Sequence, residues 1–297
     1  MTGKVWIGVS GWRYTPWRGH FYPKGLAQWR ELEHASRAFN SLELNGSFYS
    51  LQRPSSYAMW AEQTPPGFVF AIKGSRYITH MLKLRNIEAA LANFLASGLF
   101  ELGDKLGPIL WQFPAMVRYH PEVFEAFFQM LPTTTHAAAK IACRHDERLV
   151  GDNRTCLEPG RNRRIRHCVE VRHESFVDPG FIKLLRKYNI AWVVADTPNP
   201  WPLYEDVTAD FIYMRLHGST ELYNSRYTDE ELERWARFID AWREGGEPED
   251  ARLVCPTRSR ARGGRDVYCY FDNTDKRHAP ENAKQLMRLL GVSAVPA

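Results

Sequence analysis

Short apolar or alternating runs recur along the chain, and amphipathic helical patterns separate them. This alternation of strand and helix patterns is typical of repeated β/α units around a parallel sheet. Eight such units predict an α/β protein with a TIM-like (β/α)8 barrel, which we expect to occupy residues 1–297 as a single domain. The runs place the eight strands at residues 5–10, 39–45, 68–73, 108–113, 167–172, 191–196, 211–217 and 266–271.

Capping signals mark helices between these strands. Asp178 places a capping carboxylate directly before Pro179, which suits the first turn of a helix. Thr228 and Glu231 have capping-box spacing at the start of another amphipathic pattern. A further helix is predicted near residues 88–96, after the third strand. These positions fit the crossovers that parallel strands require.

Two arginine-rich segments interrupt the β/α rhythm. Residues 143–166 contain seven arginines and residues 252–265 contain five more. We interpret both as basic loop excursions on the surface of a barrel that is therefore irregular. Nucleic-acid binding is the alternative, with arginines on phosphates and aromatic side chains stacked on bases. Because the formal net charge is only +5, a solvated basic surface is the favoured interpretation.

Cysteine usage and the lack of targeting patterns bear on the compartment. The five cysteines are widely spaced and form no CxxC pair, so neither a disulfide framework nor a zinc knuckle is expected. No apolar run approaches the roughly 18 residues that a membrane span needs, and no signal-peptide pattern precedes the first strand. We therefore expect a cytoplasmic protein with no membrane partner, whose oligomeric state the sequence leaves open.

Polar residues stand at or just after the ends of seven predicted strands. Side chains alternate between the two faces of a strand, and those that point inward at the carboxyl ends of barrel strands meet at one mouth. A single polar residue there is usually only solvated, but seven strand ends of mixed chemistry favour a shared site. The residues concerned are Glu43, Asn45, Lys73, Gln112, Glu170, Arg172, Asp196, Arg215, His217, Asp272 and Asn273.

Several longer motifs contain these residues. They include Ile7-Gly8-Val9-Ser10-Gly11-Trp12, Glu43-Leu44-Asn45-Gly46-Ser47-Phe48-Tyr49, Phe70-Ala71-Ile72-Lys73, Glu170-Val171-Arg172-His173, Tyr213-Met214-Arg215-Leu216-His217-Gly218 and Tyr270-Phe271-Asp272-Asn273. With these motifs the chain resembles the YecE-like family, a domain of unknown function, from about residue 5 to residue 290. The resemblance implies a TIM barrel and brings no established activity.

The candidate site has a cationic half and an acidic half. Arginine and lysine suit phosphate or carboxylate groups, whereas carboxylates and histidines can move protons. We assign proton transfer to Glu43, Glu170, Asp196 and His217. Substrate contacts are assigned to Tyr14, Asn45, Lys73, Arg76, His80, Gln112, Arg172, His173, Arg215 and Asn273.

These assignments predict a hydrolase or isomerase that acts on a small anionic, phosphate-bearing or sugar-type substrate. A carboxylate pair that processes sugars is one alternative, and a buried ion-pair network without catalysis is another. A divalent metal on Glu, Asp and His ligands is a further alternative. We predict no cofactor and no metal site, because HxH, HExxH, GxGxxG and P-loop patterns are missing and the nearby cations oppose a metal ion.

Overall fold

The computed structural model describes residues 1–149, 151, 153–257, 263–273 and 277–294. Its eight parallel strands form one sheet, in which β1 is hydrogen-bonded to β8 and the other strands follow in order down to β2. The predicted α/β barrel is confirmed. The strands are β1 (Val5–Val9), β2 (Ser41–Leu44), β3 (Val69–Lys73), β4 (Leu106–Gln112), β5 (His167–Glu170), β6 (Ala191–Asp196), β7 (Phe211–Leu216) and β8 (Asp266–Phe271).

Helices form most of the crossovers. Residues 197–210, between β6 and β7, contain no helix, so the barrel is irregular there. The α-helices are α1 (Glu31–Ala38), α2 (Gly46–Tyr49), α3 (Pro54–Gln63), α4 (Glu88–Ala96), α5 (Pro121–Met130), α6 (Thr135–Ala142), α7 (Pro179–Tyr188), α8 (Asp229–Arg243) and α9 (His278–Leu289). Short 3₁₀ helices lie at Thr15–Trp17, Gln28–Arg30, Leu99–Lys105, Glu147–Leu149 and Glu174–Phe176, and a π-helix lies at Tyr77–Met81.

The capping signals work as their spacing predicts. The Asp178 carboxylate accepts hydrogen bonds from two backbone N–H groups in the first turn of α7. At α8 the Thr228 hydroxyl accepts from the backbone of Glu231, whose carboxylate accepts from the backbone of Thr228 in return. Each contact satisfies an N–H group that the helix itself leaves unpaired.

The barrel closes between β1 and β2 through a narrow contact. Ser10, the residue after β1, forms an isolated parallel bridge with Glu43 of β2, and the N–H of Gly11 donates to the carbonyl of Glu43 at 2.8 Å. A Cβ atom on Gly8 would lie 1.9 Å from the carbonyl oxygen of Ser41. Only glycine at position 8 lets these two backbones approach so closely.

Buried side chains form two clusters, one on each face of the sheet. Ala71, Leu110, Cys168, Tyr213 and Tyr270 belong to a cluster made almost wholly of strand residues, which fills the barrel. Their neighbours in sequence, such as Ile72 or Met214, pack in the larger cluster that includes the helices. Successive residues of a strand therefore face opposite sides of the sheet, and we call the side on which a residue lies its parity. Parity determines which polar side chains at the strand ends can enter the barrel mouth.

Acidic partners neutralise much of the first arginine-rich segment. Arg148, Arg163, Arg164 and Arg166 form ion pairs with aspartates. In the second segment Arg265 is buried, which departs from the surface interpretation, while residues 258, 260 and 262 lie outside the described residues. All five cysteines are free thiols. No helix in the described ranges is both long enough and apolar enough for a membrane crossing.

Candidate functional site

Arg215, one residue before the end of β7, lies at the centre of a buried charge cluster. Its side chain is 1 % exposed. Nε and Nη2 donate to the two carboxylate oxygens of Glu43 at 3.0 and 2.9 Å. Nη1 donates to Glu170 at 2.6 Å, and Nη2 also donates to Asp272 at 2.9 Å and to the Ser10 hydroxyl at 3.1 Å. We call these five residues the Arg215 cluster.

Ion pairing lowers the pKa values of two carboxyl groups of this cluster by more than burial raises them. Burial opposes the ionisation of Glu170, but the guanidinium groups of Arg215 and Arg172 hold the pKa of that carboxyl well below its ordinary value. Burial also opposes the ionisation of Asp272, yet Arg215 and the neighbouring His217 lower its pKa below 3.8. Both carboxyl groups are therefore anions at neutral pH, and they hold the guanidinium in place.

Tyr213 and His217, which are both buried, lie against the Arg215 cluster. The Tyr213 hydroxyl donates to Glu43 at 2.7 Å, and Ser10 donates to the same carboxylate at 2.5 Å. The His217 ring has its Nδ1 atom 3.0 Å from Asp272 and its Nε2 atom 3.7 Å from Glu170. The edges of two aromatic rings, Trp201 and Tyr223, pack around that imidazole.

A cavity of about 510 Å³ opens at the carboxyl ends of β3 and β4. We call it the mouth cavity. Among the described residues, its wall carries one lysine, two arginines and one histidine, and no acidic side chain. The wall consists of Phe48, Tyr49, Lys73, Arg76, His80, Met81, Gln112, Arg172 and Tyr223.

Lys73, the last residue of β3, is the most unusual group in this wall. It is 8 % exposed, and its ammonium makes no hydrogen bond or ion pair with any residue that the structure describes. The nitrogen instead lies 4.3 Å from the centre of the Phe48 ring. Burial lowers the pKa of Lys73 to about 8, with a further contribution from Arg215 that nearby carboxylates partly offset.

The other basic groups of the mouth cavity have aromatic supports. Arg172 donates to Glu170 at 2.8 Å and stacks 3.7 Å above the Trp201 ring. Arg76 is exposed and lies over Tyr49. Burial and then the charge of Lys73 lower the pKa of His80 to about 4, so its imidazole is neutral at pH 7. Stacking on aromatic rings orients guanidinium groups while leaving N–H groups for a ligand.

A second, smaller cavity of about 330 Å³ adjoins the first, and Tyr49 lines both. Tyr14 and Asn45 lie here rather than in the mouth cavity. The Tyr14 hydroxyl donates to the Ser10 carbonyl at 2.6 Å, and the Asn45 amide donates to the Ser10 hydroxyl at 2.8 Å. Both residues therefore connect the Arg215 cluster to this second cavity.

Three of the predicted site residues lie away from both cavities and from the Arg215 cluster. Asp196 shares the parity of Trp192 and Val194, so it faces the helices, where the indole of Trp235 donates to it at 3.1 Å. Asn273 has the helix-facing parity of Phe271 and bonds to Asn282 of α9. The His173 ring accepts from the backbone of Ser175 at 3.0 Å and caps the turn after β5.

Sequence reasoning did not assign roles to several members of the site. Asp272 bonds to Arg215, although we assigned its neighbour Asn273 instead. Asp272 has the parity of Tyr268 and Tyr270, and the structure shows that this parity points into the barrel. Parity predicts nothing for Phe48, because it lies in α2, outside any strand. No group of three or more His, Cys, Asp or Glu residues with metal-binding geometry occurs in the described part of the chain.

Comparisons with known proteins agree with this fold. A family model described as "Protein of unknown function DUF72" matches residues 6–297. UPF0759 protein YecE of Escherichia coli O157:H7 is 25% identical over 248 residues, covering 82% of this chain and 84% of that protein. UPF0759 protein YunF of Bacillus subtilis (strain 168) is 23% identical, covering 97% of this chain and 95% of that protein.

Solved structures show the same architecture. A DUF72 family protein from Thermotoga maritima MSB8 superposes with a TM-score of 0.70 at 22% identity, covering 97% of this chain and 99% of its own. Another, from Enterococcus faecalis V583, has a TM-score of 0.68 at 18% identity, covering 99% and 98% of the two chains. With the family model matching almost the whole sequence, the chain belongs to the DUF72 family, whose function is unknown.

Proposed function

We propose that this protein is an enzyme that binds a small phosphate- or carboxylate-bearing substrate in the mouth cavity. The observation that carries the proposal is Lys73, a buried ammonium with no described hydrogen bond or ion pair, in a cavity wall that also contains Arg76 and Arg172 and no acidic side chain. Burying a charge without a counter-ion is costly. A bound anion would supply the missing counter-ion, which is why the arrangement favours an anionic ligand.

The size and lining of the cavity support the same class of ligand. A volume of about 510 Å³ lies in the range of small-molecule sites. Arg172 and Arg76 add guanidinium forks that suit phosphate or carboxylate oxygens, and the Gln112 amide can both donate and accept. A neutral sugar would leave Lys73 without a counter-ion, so the sugar-processing alternative is less well supported.

In this proposal the groups that transfer protons are side chains of the cavity wall, Lys73 and His80. Glu43 and Glu170 are buried against Arg215, and neither lines the mouth cavity. They are better placed to position Arg215 than to reach a substrate. Lys73, with a pKa of about 8, exchanges protons near neutral pH, and the neutral His80 can accept one.

Ligand-binding measurements test the proposal. Thermal unfolding and calorimetry would be run with inorganic phosphate, a sugar phosphate and short single-stranded DNA, on wild type and Lys73→Met. Lys140→Met, an exposed lysine on α6, is the matched control because it removes the same charge. We expect saturable binding of the small anions by wild type and control, and roughly 10- to 100-fold weaker binding by Lys73→Met.

Two results would contradict the proposal. One is the absence of binding with every small anion, and the other is equal affinity in wild type and Lys73→Met. Equal DNA binding by both proteins, without any small-anion binding, would instead support a nucleic-acid surface outside the mouth cavity.

A further inference from the structure

We infer that Lys73 is a covalent catalyst, whose side-chain amine forms an imine with the carbonyl group of an anionic aldehyde or ketone. The inference rests on the proposed function, because it takes the anion-binding role of the mouth cavity as given and names the second functional group of the substrate. Imine formation needs a neutral amine, free of hydrogen bonds, within reach of a bound carbonyl carbon.

The surroundings of Lys73 meet the first requirement. Its nitrogen faces the Phe48 ring and has no described hydrogen-bond partner, so its lone pair is not engaged once the proton has left. With a pKa of about 8, about one amine in ten is neutral at pH 7, against about one in 3,000 for a lysine of ordinary pKa. This nucleophile is therefore available without a strong base.

A second lysine of this barrel shows the contrast. Lys105 lies just before β4, at the opposite end of the barrel, and is partly buried. Its ammonium donates to the carbonyls of Ala61 and Thr64 and to the Thr64 hydroxyl. Those contacts satisfy the protonated form and give Lys105 a structural role. Lys73 has no such described contacts and borders a cavity, which is the arrangement that a reacting amine needs.

The remaining wall of the mouth cavity can hold the rest of the substrate. Arg76 and Arg172 lie close enough to His80 for their charges, together with that of Lys73, to lower its pKa. All four groups therefore surround one small volume. A phosphate or carboxylate held by the two guanidinium groups would place the carbonyl end of the same molecule near the amine.

The chemical step is balanced within this set of groups. The neutral Lys73 amine adds to the carbonyl carbon, a C–N bond forms as the C=O π bond breaks, and oxygen takes up a proton while nitrogen loses one, which gives the neutral carbinolamine. The nitrogen lone pair then forms the second C–N bond as the C–O bond breaks, the hydroxyl takes up a second proton and leaves as water, and nitrogen loses its second proton to give the imine, without any oxidant or reductant. His80 can accept the nitrogen proton, since its Nδ1 atom contacts Thr79 and leaves Nε2 available. Burial raises the pKa of Tyr223, so its hydroxyl stays protonated and can donate to the oxygen.

Reductive trapping tests the inference. Dihydroxyacetone phosphate, pyruvate and glyoxylate would each be incubated with the protein and sodium cyanoborohydride, and adducts located by intact-mass and peptide mass spectrometry. Their alcohol counterparts, glycerol 3-phosphate, lactate and glycolate, serve as non-reacting ligands. We expect one adduct, on Lys73, with at least one carbonyl anion. The matching alcohol should suppress it, and its rate should rise as pH increases through about 8.

Two variants separate covalent chemistry from binding. Lys73→Arg keeps the positive charge, so it should retain alcohol binding within about tenfold and lose the adduct. Lys140→Arg should behave as wild type. Binding of an alcohol counterpart without any Lys73 adduct from the three carbonyl compounds would overturn the inference and leave the proposed function standing. Adducts on surface lysines alone, unchanged in Lys73→Arg, would overturn it in the same way. Failure of all six compounds to bind would count against both proposals.

Discussion

Replacing Arg215 by methionine is the most direct test of how the barrel mouth is held together. The substitution preserves most of the side-chain length but removes a guanidinium group that makes five hydrogen bonds to Glu43, Glu170, Asp272 and Ser10. Three carboxylates would then lie close together without the cation that they surround. Removing one partner of a buried ion pair lowers the free energy of unfolding by about 3–5 kcal/mol. Because Arg215→Met leaves three carboxylates without their cation, we expect a loss near the upper end of that range.

A loss of about 5 kcal/mol should be visible in any unfolding experiment. For a chain of this size it corresponds to a decrease in Tm of roughly 10–20 °C, at about 2–4 °C per kcal/mol. Arg164→Met is the matched control, because Arg164 pairs with Asp210 at a position where both side chains are about half exposed. That variant should lose less than about 1 kcal/mol.

The pH dependence of the stability difference between wild type and Arg215→Met tests whether unpaired carboxylates cause it. In wild type the pKa values of Glu170 and Asp272 are lowered by pairing, so their stabilisation is present above their unfolded-state values and is lost only as pH falls through the lower folded-state values. In Arg215→Met burial acts without the guanidinium and raises the carboxyl pKa values. The variant then takes up protons on folding, and its free-energy deficit should narrow between pH 7 and pH 5.

Urea unfolding followed by circular dichroism at both pH values measures these differences. Arg215→Met combined with Glu170→Gln should recover part of the loss, since one stranded charge is then absent. A deficit below about 1 kcal/mol at pH 7, or a deficit of the same size at pH 5, would refute the reasoning.

Three further predictions concern individual residues. Lys73→Met should stabilise the protein by about 3 kcal/mol at pH 7, because the folded-state pKa of about 8 lies below the ordinary 10.5. That gain should vanish as pH rises through about 10.5, and urea unfolding at pH 7 and 10 checks the sign. Asp196→Ala should lower the free energy of unfolding by about 1–3 kcal/mol, since it leaves the Trp235 indole N–H unpaired. Calorimetry should find an unchanged affinity for anions. A tenfold loss of affinity would show that Asp196 belongs to the binding site. Gly8→Ala should lower the free energy of unfolding by about 3 kcal/mol or more, because the added methyl would lie 1.9 Å from a backbone oxygen. A Tm within about 2 °C of wild type would be a much smaller shift than that loss predicts. It would show that β1 and β2 can move apart.

Most of the fold could be predicted from the sequence because it depends on local pattern. All eight strand positions agree with the structure to within two residues at each end, and the helix predicted at 88–96 is α4. The second and fifth strands were predicted longer than β2 and β5, which contain four residues each. Apolar runs continue past the point where hydrogen-bonded pairing stops, and periodicity alone does not report that point.

The site was predicted less completely, and strand parity explains the difference. Glu43, Lys73, Gln112, Glu170 and Arg215 all share the parity of barrel-filling residues, and the structure places them at the mouth. Asp196 was included only because it ends a strand. Its parity matches that of Trp192, which packs in the cluster that contains the helices. The parity that faces the barrel interior becomes known only when all eight strands are placed together. A prediction made one strand end at a time therefore includes residues from both faces of the sheet.

Other features of the site depend on packing between distant segments. The cation–aromatic contacts of Lys73 with Phe48 and of Arg172 with Trp201 join segments that no periodic pattern connects. Tyr223, in the segment after β7, lines the mouth cavity, although no strand or helix pattern predicts its position. Tyr227, from the same segment, is instead fully buried, and its hydroxyl accepts from the N–H of Gly218.

The Arg215 cluster also has a consequence for how the chain acquires its structure during synthesis. Arg215 bonds to residues that precede it by 205, 172 and 45 positions and to one that follows it by 57. A nascent chain that ends before β8 lacks both the strand that pairs with β1 and the Asp272 carboxylate. Its guanidinium must then stay hydrated and its sheet open, with apolar strand faces accessible to chaperones and proteases. Translation through the last strand is therefore the step at which this barrel can close and its charges can leave water together.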